Sequence, residues 1–191
     1  MATQAERRAE TRSRLLQAAE EAFLARGYEA ATTGAILEAA GVSRGGLYHH
    51  FANKREIFEA VFLAKSDAAL DASQRVKPCD SPLESLVRAC LAWLRAVRAP
   101  DVAKVLLEDG PSVLGWQRAR ELEGERSLRM MTRALEAAVM AGEIEVASIP
   151  VTARLLNASL AEAALAELHD GVSRRATETS VRAWIEALAR A

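Results

Sequence analysis

Two cysteines, five prolines and ten glycines in 191 residues leave little material for a disulfide scaffold, a loop-rich β protein or a collagen-like repeat. Aromatic residues are scarce as well, at 5% of the chain. No stretch approaches the roughly 18 consecutive apolar residues of a membrane span, so no membrane partner is expected. Charges interrupt MATQAERRAE TRSRLLQAAE before any apolar run forms, so no signal peptide is expected either. The net charge is −1, without the basic excess that marks a nucleic-acid-binding chain as a whole. A disulfide between Cys79 and Cys90 is possible on paper. A charged chain with no leader points instead to the cytoplasm, where thiols stay reduced. Cys90 falls on an apolar helical repeat and reads as a small core residue.

What is present is helix-forming material. Half the residues are apolar, which excludes disorder, and 40 Ala and 23 Leu lead the composition. An all-α fold of about nine helices follows, in one or two domains, with no strand and no internal repeat. Phe23, Tyr28, Tyr48, Phe51, Phe58 and Phe62 fall in the first third of the chain, whereas Trp93, Trp116 and Trp184 come later. A small module needs bulky side chains to fill its core, so the shift predicts two modules joined near residues 65–75. The first helix is expected from about Arg8 to Arg26, with Leu16, Ala19 and Phe23 on its inner face and Gly27 closing it. Asn53 and Glu56 form a box-like helix start. Ser81-Pro82-Leu83-Glu84 is another: a Ser cap, Pro at the first helical position and Glu at the third. Gly110-Pro111-Ser112 reads as a break, and a last helix is expected from about residue 173 to the C-terminus.

The informative stretch is TTGAILEAAGVSRGGLYHHF, residues 32–51. A short helix ends at Ala40, Gly41 supplies the turn, and Ser43 restarts a helix three residues on. Val42 and Leu47 can pin the two helices together. This is a helix-turn-helix layout, whose second helix enters the major groove of double-stranded DNA. Arg44 stands in the first turn of that helix, where an Arg can donate two hydrogen bonds to guanine O6 and N7. Gly45 and Gly46 are poor helix formers. They read either as a tight turn or as a place where the backbone approaches DNA. The Tyr48 hydroxyl and the His49 and His50 imidazoles can reach phosphate oxygens. Lys54, at a helix start, can do the same, and the hydroxyls of Thr33 and Ser43 can serve both backbone and phosphate. Adjacent His49 and His50 lack the i, i+4 spacing of helical metal ligands, so neither a metal nor a cofactor is expected.

Residues 9–69 resemble the DNA-binding domain of the tetracycline-repressor family of bacterial regulators. The resemblance rests on Gly27-Tyr28, the paired threonines, Ile36, Ala40-Gly41-Val42-Ser43, Gly45, Leu47-Tyr48, His50-Phe51 and Lys54. It covers about a third of the chain. By position it implies that Arg44, Gly45 and Tyr48 meet bases or the groove floor. Thr33, Gly46, His49 and Lys54 match positions that meet phosphates. Three residues depart from the pattern. Gly34 stands where some members place a base-contacting side chain, Gly46 where Thr is frequent, and Leu37 where Ala is usual.

The resemblance also implies a C-terminal helical domain, residues 75–191, that dimerises and encloses a small-molecule site. Trp93, Leu106, Trp116, Met130 and Met131 are candidates for that site, because Trp and Met suit adaptable apolar contact. Leu156, Leu160, Ala164, Val181, Trp184, Ile185 and Leu188 on the last two helices either meet a second copy or fill the core of their own chain. Residues 109–116 resemble a stretch that recurs in one C-terminal subgroup. The expected function is therefore a ligand-released repressor that binds a palindromic operator as a homodimer. The alternatives are an all-α enzyme and a DNA-binding protein that senses nothing. The enzyme reading has thin support, with no nucleophile–base pair and an isolated His169. The −1 charge also divides unevenly: residues 31–55 carry a surplus of two positive charges, and residues 66–191 a deficit of two.

Overall fold

The first helix starts on a reciprocal cap. In the computed structural model, which describes residues 3–189, the Thr3 hydroxyl accepts from Glu6 N at 3.2 Å and Thr3 N donates to Glu6 Oε2 at 2.6 Å. Helix α1 (Gln4–Ala30) runs to a kink at Gly27, whose φ of 75° and ψ of 165° only glycine adopts easily. Its inner face is Leu15, Ala19 and Phe23, with Leu16 half-buried beside them. Helices α2 (Thr33–Ala40) and α3 (Arg44–Tyr48) are capped by Thr32 and Ser43. Helix α4 (Lys54–Gln74) begins as its sequence predicts: Asn53 Oδ1 accepts from Glu56 N at 3.0 Å, and Glu56 Oε2 accepts from Ala52 N at 2.8 Å. Phe23, Tyr28 and Phe58 meet with ring centroids 5.4–5.6 Å apart and fill the core beneath these helices.

Helix α5 (Pro82–Val97) follows its Ser81 cap, and α6 (Pro100–Ala103) comes next. A π-helical turn, Lys104–Asp109, and α7 (Gly110–Leu114) then continue the chain through the expected break at Gly110-Pro111. Pro111 is tolerated because it sits in the first turn of α7, where an N–H has no intrahelical acceptor to lose. The break comes instead at Gly115, with φ of 78°. The long helices α8 (Trp116–Met140) and α9 (Ile149–His169) precede α10 (Arg174–Glu186). Among the described residues there is no β-strand, only an isolated bridge between Ile144 and Ala189. The expected run of the last helix to residue 191 lies partly outside the described residues.

The chain divides into two compact units, neither of them continuous in sequence. Residues up to Lys65 join with Lys104–Ala119, and Ser66–Ala103 join with the residues from Arg120 onward. The segment 104–119 belongs to the first unit through long-range contacts that no local pattern announces. Arg55 Nη2 donates to Leu114 O at 2.7 Å, Arg118 pairs with Glu59 at 2.8 Å, and the Phe62 ring lies against Gly110. In the second unit α5 is tied at both ends. The Glu143 carboxylate accepts from Ser81 Oγ at 2.9 Å and Leu83 N at 2.7 Å, at the positive end of the helix. Arg98 forks onto Glu167 of α9 at 2.8 Å and reaches Glu178 of α10 at 2.6 Å. Hydrogen bonds from Arg95 and Arg98 hold the Glu178 carboxyl down at about 2.

A methyl group at Gly110 would overlap the Phe62 ring and stand 3.0 Å from Val105 O. Gly110→Ala is therefore expected to destabilise the first unit by about 1–3 kcal/mol through overpacking, read as a lowered denaturation midpoint. An unchanged midpoint would contradict the tight Phe62 contact.

Candidate nucleic-acid interface

The helix-turn-helix is closed by three local devices. Gly41 takes the left-handed conformation at the end of α2, with φ of 61° and ψ of 39°. Ser43 Oγ accepts from Gly46 N at 3.2 Å and caps α3. A Cβ on Gly46 would come within 2.9 Å of Val42 Cγ1, so any larger residue there would have to displace the Val42 side chain. Gly45 is different. Nothing lies within 4 Å of the Cβ it lacks, so the protein's interior does not require glycine there. Of the two readings left open for this pair, tight packing fits Gly46, and room for something outside the protein fits Gly45.

Leu47 turns inward at 1% exposure and fixes the rotation of α3. Ser43, Arg44, Gly45, Tyr48 and His49 are consequently exposed together. The side chains of Arg44 and Tyr48 have no polar partner among the described residues. Thr33, half-buried in the first turn of α2, makes no side-chain hydrogen bond among them either. His49 and His50 meet ring to ring at 5.5 Å. Partial burial, then the positive charges of His49, Arg8 and Arg12, hold His50 below the usual imidazole range. Arg12 also lies over the Phe51 ring, 5.2 Å from its centroid. The fold thus brings exposed arginines of α1 beside the motif. Their proximity to His50 depends on how α1 crosses the motif, which no local pattern announces.

Lys54 is corrected. Its ammonium donates to Tyr28 O at 2.8 Å and Glu29 O at 3.3 Å, and lies 4.2 Å from the centroid of the Tyr28 ring. It ties the start of α4 to the carbonyls that close α1, so most of its donor capacity is used within the fold.

The second unit contains a cavity of about 430 Å³. Trp93, Met130 and Met131 line it, together with both cysteines. Burial pushes the Cys90 thiol up to about 12, so it stays a neutral wall group. Two other candidates are corrected. Leu106 is buried in the first unit and Trp116 stands 60% exposed on it, so neither lines the cavity. Most of the candidates for the interface between copies are also corrected. Leu156, Leu160, Ala164, Val181 and Ile185 are buried within their own unit, Leu188 is half-buried, and Trp184 alone of the set is exposed. Of the two readings left open for these residues, the core of their own chain fits the five buried ones. His169 is exposed in the last turn of α9 and does not line the cavity. Among the described residues no group of three or more His, Cys, Asp or Glu could hold a metal ion, and no helix is long and apolar enough to cross a membrane.

The family description "Tetracyclin repressor-like, C-terminal domain" matches residues 83–191, more than half of the chain, and "Bacterial regulatory proteins, tetR family" matches residues 15–61. The chain belongs to the tetracycline-repressor family. Relatives of this family member include the HTH-type transcriptional regulator SrpR of Pseudomonas putida, 31% identical over 139 residues, which are 72% of this chain and 65% of that one. The HTH-type transcriptional repressor AcnR of Corynebacterium efficiens is 44% identical over 59 residues, 31% of this chain and 30% of that one. The chain thus spans less than two thirds of the length of either relative. A solved TetR-family regulator from Rhodococcus sp. shares the fold with a TM-score of 0.78 at 22% identity, over 95% of this chain and 100% of that one. Proteins of this family are regulators of transcription, not enzymes.

Loss of the Lys54 ammonium should be felt first in the fold. Lys54→Ala is expected to lower unfolding stability by about 1–2 kcal/mol in chemical denaturation. A variant as stable as the parent would show that these hydrogen bonds contribute nothing net.

Proposed function

We propose that this TetR-family chain is a DNA-binding transcriptional repressor. It occupies a palindromic operator as a homodimer and is released by a small molecule bound in its second unit. The observation that carries the proposal is the exposed Arg44 guanidinium in the first turn of α3, without a partner among the described residues and next to a Gly45 with open space around it. A side chain so placed can lie in the plane of a guanine and donate to O6 and N7 together. Without a Cβ at Gly45 the backbone of α3 can sit close to the groove floor. Thr33, Ser43, Tyr48 and His49 then supply hydroxyl and imidazole donors to phosphates, which fix register without reading sequence. Arg8 and Arg12 add charge at the same end of the motif. The surplus of charge is small, so non-specific affinity is modest and two recognition helices are needed.

A second copy supplies the other helix. Val151, Leu155, Leu168, Val172 and Trp184 of the second unit are large apolar residues left exposed on a single chain, and they support pairing through α9, α10 and the turn between them. A dimer with its recognition helices one DNA turn apart, about 34–36 Å, reads a palindrome. The name of AcnR supports repression over activation. The cavity supports release by a ligand, which acts only through a difference in affinity between the dimer that fits DNA and one that does not.

Selection of bound sequences from a random duplex pool tests the proposal, with enrichment of a two-fold symmetric site expected. Against that site, Arg44→Ala should weaken binding by about 1–3 kcal/mol and relax preference at one base pair per half-site. An equal loss on unselected DNA would exclude base reading by Arg44. Trp184→Asp is expected to shift the protein from dimer to monomer in sedimentation equilibrium with unchanged helicity. A persistent dimer would exclude the α9–α10 surface.

A further inference from the structure

The cavity of the second unit states a preference in the polar groups of its wall. Most of them are satisfied inside the protein. Ser73 Oγ donates to Leu70 O at 2.6 Å, Ser127 Oγ to Glu123 O at 2.8 Å, and Gln74 Nε2 to Met130 Sδ at 3.2 Å. Ser85 Oγ donates to Ser81 O at 2.9 Å and accepts from Cys79 N at 3.0 Å, while Cys79 Sγ reaches Ser81 O at 3.3 Å. Three lining side chains keep donors without a partner among the described residues: the ammonium of Lys77, the amide of Asn157 and the indole N–H of Trp93. Lys77 is exposed and Asn157 half-buried, on the loop before α5 and on α9. An ammonium only donates, and an amide NH₂ donates twice. Among the described residues no carboxylate lines the cavity, and most of the remaining wall is apolar, with Met130, Met131 and the Trp93 ring among it.

We infer that the cavity takes an apolar monocarboxylate, with its acid group held by Lys77 and Asn157 and its body among Trp93, Met130 and Met131. The inference rests on the reading of this cavity as the effector site. The size agrees: 430 Å³ is roughly fourteen times the ~30 Å³ share of one liquid water, room for a body of about a dozen non-hydrogen atoms. The charge arrangement agrees as well. An exposed Lys77 can meet a carboxylate that keeps part of its hydration while the tail leaves water, so no buried charge is left unpaired. An amine of the same shape would meet Lys77 as a like charge and find no anion on the wall. A neutral alcohol would keep the tail contacts and lose the ion pair. The preferred order is therefore carboxylate, then alcohol, then amine.

Decanoate, decan-1-ol and decylamine share one body and differ in the head, so they isolate the head group. Isothermal titration into the full-length protein below the micelle concentrations should show decanoate binding at least tenfold tighter than decylamine, with decanol between. Lys77→Glu, an exposed substitution, should reverse the order of decanoate and decylamine. Asn157→Leu should weaken decanoate several-fold and leave decanol nearly unchanged. Decylamine binding as tightly as decanoate, an order unchanged by Lys77→Glu, or no binding of any of the three would overturn the inference. Operator binding measured alongside separates it from the proposed function. Decanoate that binds without releasing DNA would leave the ligand class standing and remove the release step. Release by decylamine alone would do the opposite.

Discussion

The burial of Leu47 is the constraint on which the DNA-reading head depends. Ser43 caps α3 and Leu47 drops into the core, while Gly46 keeps α3 close over the turn, where a Cβ would press on Val42 Cγ1 at 2.9 Å. The rotation of α3 follows from that, and with it the outward direction of Arg44, Tyr48 and His49. A helix of five residues has almost no stability of its own. Its geometry is imposed by a cap, a left-handed turn and one buried leucine, and the helix costs no more order than those three contacts supply.

The same economy governs charge. A chain of net charge −1 cannot hold DNA by bulk electrostatics. The basic groups are instead assigned separate tasks by the fold. Arg44 is left free, Arg8 and Arg12 are brought beside His50, and Lys54 is withdrawn to bind the carbonyls of Tyr28 and Glu29. An ammonium at that point satisfies the orphan carbonyls of a helix end, a structural role that spacing alone does not separate from a phosphate contact. The proposed affinity therefore depends on fit and on pairing of two copies more than on the number of cations.

In the second unit, tethering and openness coexist. Arg98, Glu167 and Glu178 bind α5 to α9 and α10, and Glu143 fills the positive end of α5. These ties hold the walls apart firmly enough for a cavity to persist beside a helix whose other face is core. Adaptable Met130 and Met131 line that cavity, so its shape can follow a guest while its polar groups keep their places.

Features that depend on neighbours a few residues apart could be read from the order of residues alone. The all-α class, the Ser81-Pro82 and Asn53-Glu56 helix starts, the turn at Gly41 and the motif from residue 32 to residue 51 were all legible, because caps and i, i+4 faces are local. Folding settled what depends on contacts far apart in the chain. It assigned residues 104–119 to the first unit through Leu114, Glu59 and Phe62, and so took Leu106 and Trp116 away from the cavity. It turned Leu156, Val181 and Ile185 inward and left Val151, Leu155 and Trp184 outside. It also gave Lys54 to the end of α1. Helical periodicity shows that a face is apolar, but which apolar face meets the core is settled by what lies across from it.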